Sequence, residues 1–203
     1  MGDPTLAYYN RHADKFALNT QHADMRQTAQ RFLAEIPAGG HILDLGCGSG
    51  RDSLYFLQQG YRVTAVDGSE KLCRIAQEYT GQPVLCRDFF DITDEDEYDG
   101  IWACASLLHV EKERLPELLK KLSAALKHDG VLYVSFKEGE FSGTRSDRHF
   151  TDLTEESMRE IFAGAGSWQE RSVWKSCDVR PDHAGEVWIN GLFRRGCETV
   201  DHA

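Results

Sequence analysis

For most of its length the chain alternates short apolar runs with longer amphipathic stretches. Between residues 24 and 36, Met25, Ala29, Phe32, Leu33 and Ile36 recur at the spacing of one helix face, and Pro37-Ala38-Gly39-Gly40 ends the pattern. Ile42-Leu43-Asp44-Leu45 is a strand-like run entering a glycine-rich turn. Residues 51–59 predict a helix with Leu54 and Leu57 inward and Gly60 as its stop. Residues 62–66 predict a second strand, after which Ser69 caps a helix carrying Leu72, Ile75, Ala76 and Tyr79. Residues 83–86 and 100–104 read as two more strands. Residues 113–127 put Leu115, Leu118, Leu119, Leu122 and Leu126 on one face with lysines opposite. Asp129-Gly130 then turns into the apolar run 131–136. Strands alternating with helices of this length predict βαβ units and a parallel sheet.

The last third changes character. Residues 138–150 are polar and irregular, and Thr154-Glu155-Glu156 opens a helix with Met158, Ile161 and Phe162 inward. Two strand-like runs, 168–174 and 187–194, have no helix between them, so they pair antiparallel. The predicted fold is α/β: a Rossmann-like, doubly wound, seven-stranded sheet, mostly parallel with an antiparallel C-terminal strand. One domain spans 1–203, with a helical cover over 1–36, a core over 41–136, and a lid loop, helix and hairpin over 137–203.

Composition narrows the function. Lys plus Arg total 23 against 33 Asp plus Glu, a net charge of −10. So acidic a surface repels polyphosphate, and long nucleic acid is not expected as a partner. The run Asp91-Ile92-Thr93-Asp94-Glu95-Asp96-Glu97 reads as a solvated loop, not a metal cage. No apolar stretch approaches a membrane span, and the N-terminus has early acids and no apolar leader. Met1-Gly2 lacks the Ser or Thr six positions in that a myristoylation signal requires. The six cysteines, at 47, 73, 86, 104, 177 and 197, form no metal-type or thioredoxin-type pair. Free buried thiols in a cytoplasmic protein are expected, with no metal site.

The segment Asp44-Leu45-Gly46-Cys47-Gly48-Ser49-Gly50-Arg51 carries the chemistry. A strand runs directly into three alternating glycines and then a helix, where the backbone turns at positive φ and exposes N–H groups to a ligand. A second strand ends in Asp67, 21 positions after Gly46, where doubly wound folds place an acid on ribose hydroxyls. Both features predict an adenosine-bearing ligand. A pyrophosphate fingerprint would need its third glycine at position 51, which is Arg.

The spacing of Gly46, Gly48 and Gly50 instead resembles motif I of the class I S-adenosylmethionine-dependent methyltransferases. That resemblance implies that Asp44 orients the methionine amino group, that Asp67 with Gly68 meets the ribose, and that Asp88-Phe89 meets the adenine. It adds Tyr9, Cys47 and Cys104 to the cofactor-binding set, and makes S-adenosyl-L-methionine the cofactor with S-adenosyl-L-homocysteine as product. The run Trp102-Ala103-Cys104-Ala105-Ser106-Leu107-Leu108-His109 resembles the fourth strand and the loop below the sulfonium. Lys127-His128-Asp129-Gly130 resembles the family's approach to strand five, with a proline and one glycine replaced. Within the family, Gly48-Ser49-Gly50-Arg51-Asp52-Ser53 and the Trp102–His109 run are similar to the small bacterial tellurite-resistance and thiopurine methyltransferase-like group. Tyr8-Tyr9-Asn10 and Ala13-Asp14-Lys15-Phe16 resemble its N-terminal cover. The Asn/Asp-Pro-Pro motif of enzymes that methylate nucleobases or glutamine amides is replaced by Ala103-Cys104-Ala105-Ser106.

The expected activity is methyl transfer to a small-molecule acceptor, with a soft S, Se or Te nucleophile preferred over O or N, by a monomer or homodimer. The alternatives are a non-catalytic S-adenosylmethionine-binding module and a nicotinamide-dependent oxidoreductase. His109 is the candidate general base or else a helix-start histidine bonded to the backbone. Arg51 is an acceptor contact or a surface arginine. Lys137, Arg145, Arg148 and His149 either clamp an anionic substrate, with Arg148 the chosen contact, or form a solvated loop. Tyr8 and Tyr9 are a cofactor lid or a hydrophobic staple, and Cys47 and Cys104 read as small packing residues, not nucleophiles.

Overall fold

The computed structural model describes residues 3–180, 183 and 185–196; Met1-Gly2 and Cys197 lie outside the described residues. Helix α1 (Pro4–Thr20) starts where the Asp3 carboxylate accepts the Thr5 N–H at 2.7 Å and Pro4 presets the first turn. After α2 (Arg26–Leu33) come β1 (His41–Leu45), α3 (Arg51–Gln58), β2 (Arg62–Asp67), α4 (Glu70–Thr80), β3 (Val84–Cys86) and β4 (Tyr98–Ala103). Ser69 caps α4 by accepting from Leu72 N–H, and left-handed Gly81 closes it. The leucine-rich helix is α5 (Leu115–Ala125), and Leu126 already belongs to β5 (Leu126–Lys137). Then follow β6 (Ser142–Arg145), β7 (Arg148–Thr151), α6 (Glu155–Ala163), β8 (Trp168–Cys177) and β9 (Val187–Arg195).

Seven strands form one sheet in the order β3-β2-β1-β4-β5-β9-β8, and only β9 runs against the others. Strand order reverses between β1 and β4, which opens a crevice at their carboxyl ends, the place where such sheets bind ligands. The two faces follow the two-residue strand period. Leu43, Ile101, Leu132 and Phe193 meet α5 and α6 through Leu118, Leu122, Met158 and Phe162. Ile42, Trp102, Val131 and Tyr133 meet Phe32 of α2 and Phe56 of α3 on the other. No described helix is long and apolar enough to cross a membrane.

Three local expectations are corrected. The inward face of α3 is Asp52, Ser53 and Phe56; Leu54 and Leu57 are only half-buried. Two polar side chains take the core positions because each has a buried partner to satisfy, as the next section shows. The segment 138–150 is not irregular: β6 and β7 form a hairpin whose two loop residues, Ser146 (φ 48°) and Asp147 (φ 63°), are both left-handed. That is the turn whose twist suits a two-residue connection. The five described cysteines are free, but Cys86 and Cys177 are exposed.

Candidate active site

At the crevice between β1 and β4, beneath α1 and the β6–β7 hairpin, lies a cavity of about 780 Å³. Its floor is the glycine loop. Gly46, Gly48 and Gly50 have φ of 78°, 56° and 82°, which a side chain would disfavour. The N–H groups of Gly46 and Cys47 both donate to the Val66 carbonyl, at 2.8 and 2.9 Å, which ties the loop to the end of β2. A methyl on Gly46 would stand under 3.0 Å from Ser106 Cβ, so the segment after β4 rides directly against the loop. Gly48 faces Phe16 of α1. Gly50 does not line the cavity: its bare face lets α4 approach through Ala76 and Thr80. Beside the cofactor contact expected of it, Gly50 thus has a helix-packing role.

Asp67 ends β2 on the cavity wall. Its Oδ2 accepts the Gly48 N–H at 2.9 Å and its Oδ1 the Ser69 N–H at 2.8 Å. Burial pushes this carboxyl up to about 6, against the pull of those donors. Gly68, next along, faces Leu6 of α1. Asp44 is buried, accepts from Ser53 Oγ at 2.5 Å, and is pushed up by burial and by the neighbouring Asp52 carboxylate. Asp88 caps the short turn 89–91 by accepting from Phe90 N–H at 2.8 Å, which sets the Phe89 ring against the glycine loop. Burial pushes the Cys104 thiol up to about 12, and the Cys47 thiol up as well, so both are held protonated.

Arg51 is committed within the wall. Its Nε and Nη2 donate to the two Asp52 oxygens at 2.7 and 2.6 Å, and Asp52 Oδ2 also accepts the Trp102 indole N–H at 2.8 Å. Asp52 and Ser53 are the site residues that sequence reasoning missed. Their signal was two polar residues, three and four positions before an inward phenylalanine, on a helix read only for its leucines.

The far wall joins three distant segments. His109 Nδ1 lies 2.7 Å from the His149 carbonyl, so Nδ1 carries the proton and donates; Nε2 then accepts the Tyr9 hydroxyl at 2.8 Å. Burial pushes this imidazole down to about 4. The same burial raises the Tyr9 hydroxyl, against the pull of Arg148. Arg148 Nη1 donates to the Tyr9 oxygen at 3.3 Å, with its guanidinium 4.4 Å from the Tyr8 ring centre. Lys137 pairs with Glu186 at 2.5 Å, and Arg145 with Asp152 at 2.5 Å. Ligand-type atoms of Asp178, His183 and Glu186 also gather on this wall, but Arg180 and Lys137 neutralise the two carboxylates.

Helix α1 closes both ends. Asn10 Oδ1 accepts from Ser69 Oγ at 2.9 Å, and Thr20 Oγ1 lies 3.1 Å from Ser49 Oγ. Side chains predicted from motifs scattered over 140 positions thus face one cavity: Tyr9, Asp44, Asp67, Phe89, Cys104, His109 and Arg148 among them.

Residues 42–130 match the methyltransferase domain family. The chain is 32% identical over 189 residues to the protein named methyltransferase YqeM of Bacillus subtilis (strain 168), covering 88% of this chain and 72% of that relative. It is 29% identical over 127 residues to TehB of Haemophilus influenzae (strain 10810), named as an S-adenosyl-L-methionine-dependent methyltransferase, covering 58% and 43% respectively. In fold it is similar to the 1,6-didemethyltoxoflavin-N1-methyltransferase of Burkholderia thailandensis, solved with 1,6-didemethyltoxoflavin and S-adenosylhomocysteine bound. The TM-score is 0.76 at 24% identity, over 94% of this chain and 86% of that one. The chain belongs to the class I S-adenosylmethionine-dependent methyltransferases. Its cofactor is S-adenosylmethionine, and the glycine loop with a buried, backbone-braced carboxylate beside it fits that group.

Proposed function

We propose that the enzyme methylates a small-molecule acceptor whose nucleophilic atom is soft, sulfur, selenium or tellurium, in preference to oxygen or nitrogen. The whole chain acts as one cytoplasmic unit, monomer or homodimer: a cover over 1–36, a cofactor core over 41–136 and an acceptor lid over 137–203. Five free thiols among the described residues suit a reducing compartment. The −10 charge disfavours nucleic acid as substrate.

In this reading Asp67 and Gly68 meet the ribose hydroxyls, Asp44 meets the methionine amino group, and Asp88 and Phe89 meet the adenine. Gly46, Cys47 and Gly48 would hold the methionine portion from the loop, with Tyr9 and Cys104 completing the set that holds the cofactor. When bound, S-adenosylmethionine supplies a methyl group on a cationic sulfur that is its own leaving group. What remains for the protein is to hold the acceptor in line and exclude water. The observation that carries the soft-atom reading is the state of His109. Its free lone pair already accepts the Tyr9 hydroxyl, and burial holds it far below neutral basicity. Such a histidine positions Tyr9 and takes no proton at neutral pH, which suits a nucleophile that needs no base. Arg51 braces the wall through Asp52 between cofactor and acceptor.

The test is S-adenosylhomocysteine production across thiols, selenite, tellurite, phenols, amines and nitrogen heterocycles, the last because the Burkholderia enzyme is an N1-methyltransferase. Turnover on a thiol or chalcogen oxyanion well above every phenol and amine is expected. Turnover confined to oxygen or nitrogen acceptors, or lost with a His109→Gln change through kcat alone, would overturn the base-free reading.

A further inference from the structure

Resting on the reading of that far wall as the acceptor site, we infer that Arg148 is an anion receptor, and that the acceptor carries a carboxylate or comparable two-oxygen anion. Three cations along the cavity are already neutralised, Arg51 by Asp52, Lys137 by Glu186 and Arg180 by Asp178, and two more, Arg87 and Arg114, are exposed to solvent. Arg148 is different. No carboxylate among the described residues lies within 4.0 Å of its nitrogens. Among the described residues its one hydrogen bond goes to a neutral phenol, Tyr9, at 3.3 Å, and its buried Nε has no partner.

The side chain is nonetheless fixed. The guanidinium carbon sits 4.4 Å from the Tyr8 ring centre and 4.9 Å from that of Phe150, so aromatic faces hold the plate while its hydrogen-bonding capacity stays unspent. The β6–β7 hairpin that carries it is anchored to α1 by the His149 N–H, which donates to Thr5 Oγ1 at 3.0 Å. A half-buried cation without a counter-ion is costly, and in a protein with 33 acidic residues a partner would be easy to supply. A planar guanidinium held this way matches a planar carboxylate.

The cofactor also bears a carboxylate, so the test must separate the two sources. The full-length enzyme saturated with S-adenosylhomocysteine is titrated calorimetrically with a panel of small aryl and alkyl carboxylic acids, each paired with its isosteric amide. At least one acid should bind about ten-fold or more tighter than its amide. That preference should vanish in Arg148→Gln and be partly kept in Arg148→Lys, with S-adenosylhomocysteine affinity unchanged in both. Retained S-adenosylhomocysteine binding reports that each variant is folded and that the methyltransferase reading stands whatever the acids do. No acid outbinding its amide would overturn the inference. So would Arg148→Gln weakening S-adenosylhomocysteine but not 5′-methylthioadenosine, because the receptor would then serve the cofactor's own carboxylate.

Discussion

Replacing Gly46 with alanine separates two reasons for a glycine at the first position of the loop. The residue sits at φ 78°, where a Cβ costs about 1–2 kcal/mol. The added methyl would also stand under 3.0 Å from Ser106 Cβ, with Ser106 Oγ at 3.2 Å and Phe89 Cζ at 3.3 Å. Overpacking of that kind costs about 1–3 kcal/mol more, since the wall after β4 must shift. Gly46→Ala should therefore lose about 2–5 kcal/mol in urea unfolding and weaken S-adenosylhomocysteine binding, because the loop and Asp67 are joined through the Gly48 N–H. Ser106→Gly removes the atoms in the way, and its hydroxyl is buried without a hydrogen-bond partner, so little is lost with it. In that background the dihedral cost and the tight contact with Phe89 remain, and the clash with Ser106 is gone. A double-mutant cycle should give a coupling of about 1–3 kcal/mol. Coupling below about 0.5 kcal/mol, within ordinary additivity, would show that the backbone angle alone demands glycine and that the close approach of β4's loop is incidental.

Affinity for S-adenosylhomocysteine should fall as pH drops through about 6: burial raises Asp67 in the free enzyme, the proposed ribose contact would favour its ionised form, and binding would then release a proton. Asp44 is displaced in the same direction and adds to the slope; calorimetry from pH 5 to 8 that found flat or rising affinity toward acid would refute it. His109 should remain a neutral, Nδ1-protonated ring from pH 8 down to about 5, as read by nitrogen-detected histidine NMR, and a midpoint near 6.5 would contradict the buried geometry. Asp52→Ala strands the Arg51 guanidinium and the Trp102 indole N–H together, so a loss of about 3–5 kcal/mol is expected. Adding Arg51→Met should recover part of that loss; a single-variant cost under about 1 kcal/mol would mean solvent already serves Arg51.

How far each feature could be read from the sequence follows from how local its cause is. The glycine loop and Asp67 were legible because a turn at positive φ and a carboxylate at a strand end are each written within a few residues. The sheet was legible from the alternation of apolar runs, and the β8–β9 pairing from the missing helix between them. The α3 face was not. Hydrophobic periodicity selects Leu54 and Leu57, while the fold buries Asp52 and Ser53 because Trp102 and Asp44, some distance along the chain, give them partners. The β6–β7 hairpin hid for a related reason: Ser146-Asp147 adopts a left-handed pair usually marked by glycine or asparagine. Gly50 was legible as a glycine, but its packing role was not, since nothing local says that α4 fills the space beside it.

The far wall of the cavity is the extreme of that trend. Tyr9 and His109 are 100 positions apart and Tyr9 and Arg148 are 139 apart, yet their polar atoms stand within one hydrogen-bonded chain. Each comes from a different unit: α1, the loop after β4, and the inserted hairpin. The same α1 sends Asn10 to the start of α4 and Thr20 to the glycine loop, so one helix roofs the cavity from the glycine loop to the wall of Tyr9, His109 and Arg148. On the proposed reading, a substitution that shifts α1 should disturb cofactor affinity and acceptor selectivity together, whereas one confined to the hairpin should disturb selectivity alone. That asymmetry would separate the sheet, which carries the cofactor, from the added segments, which select the acceptor.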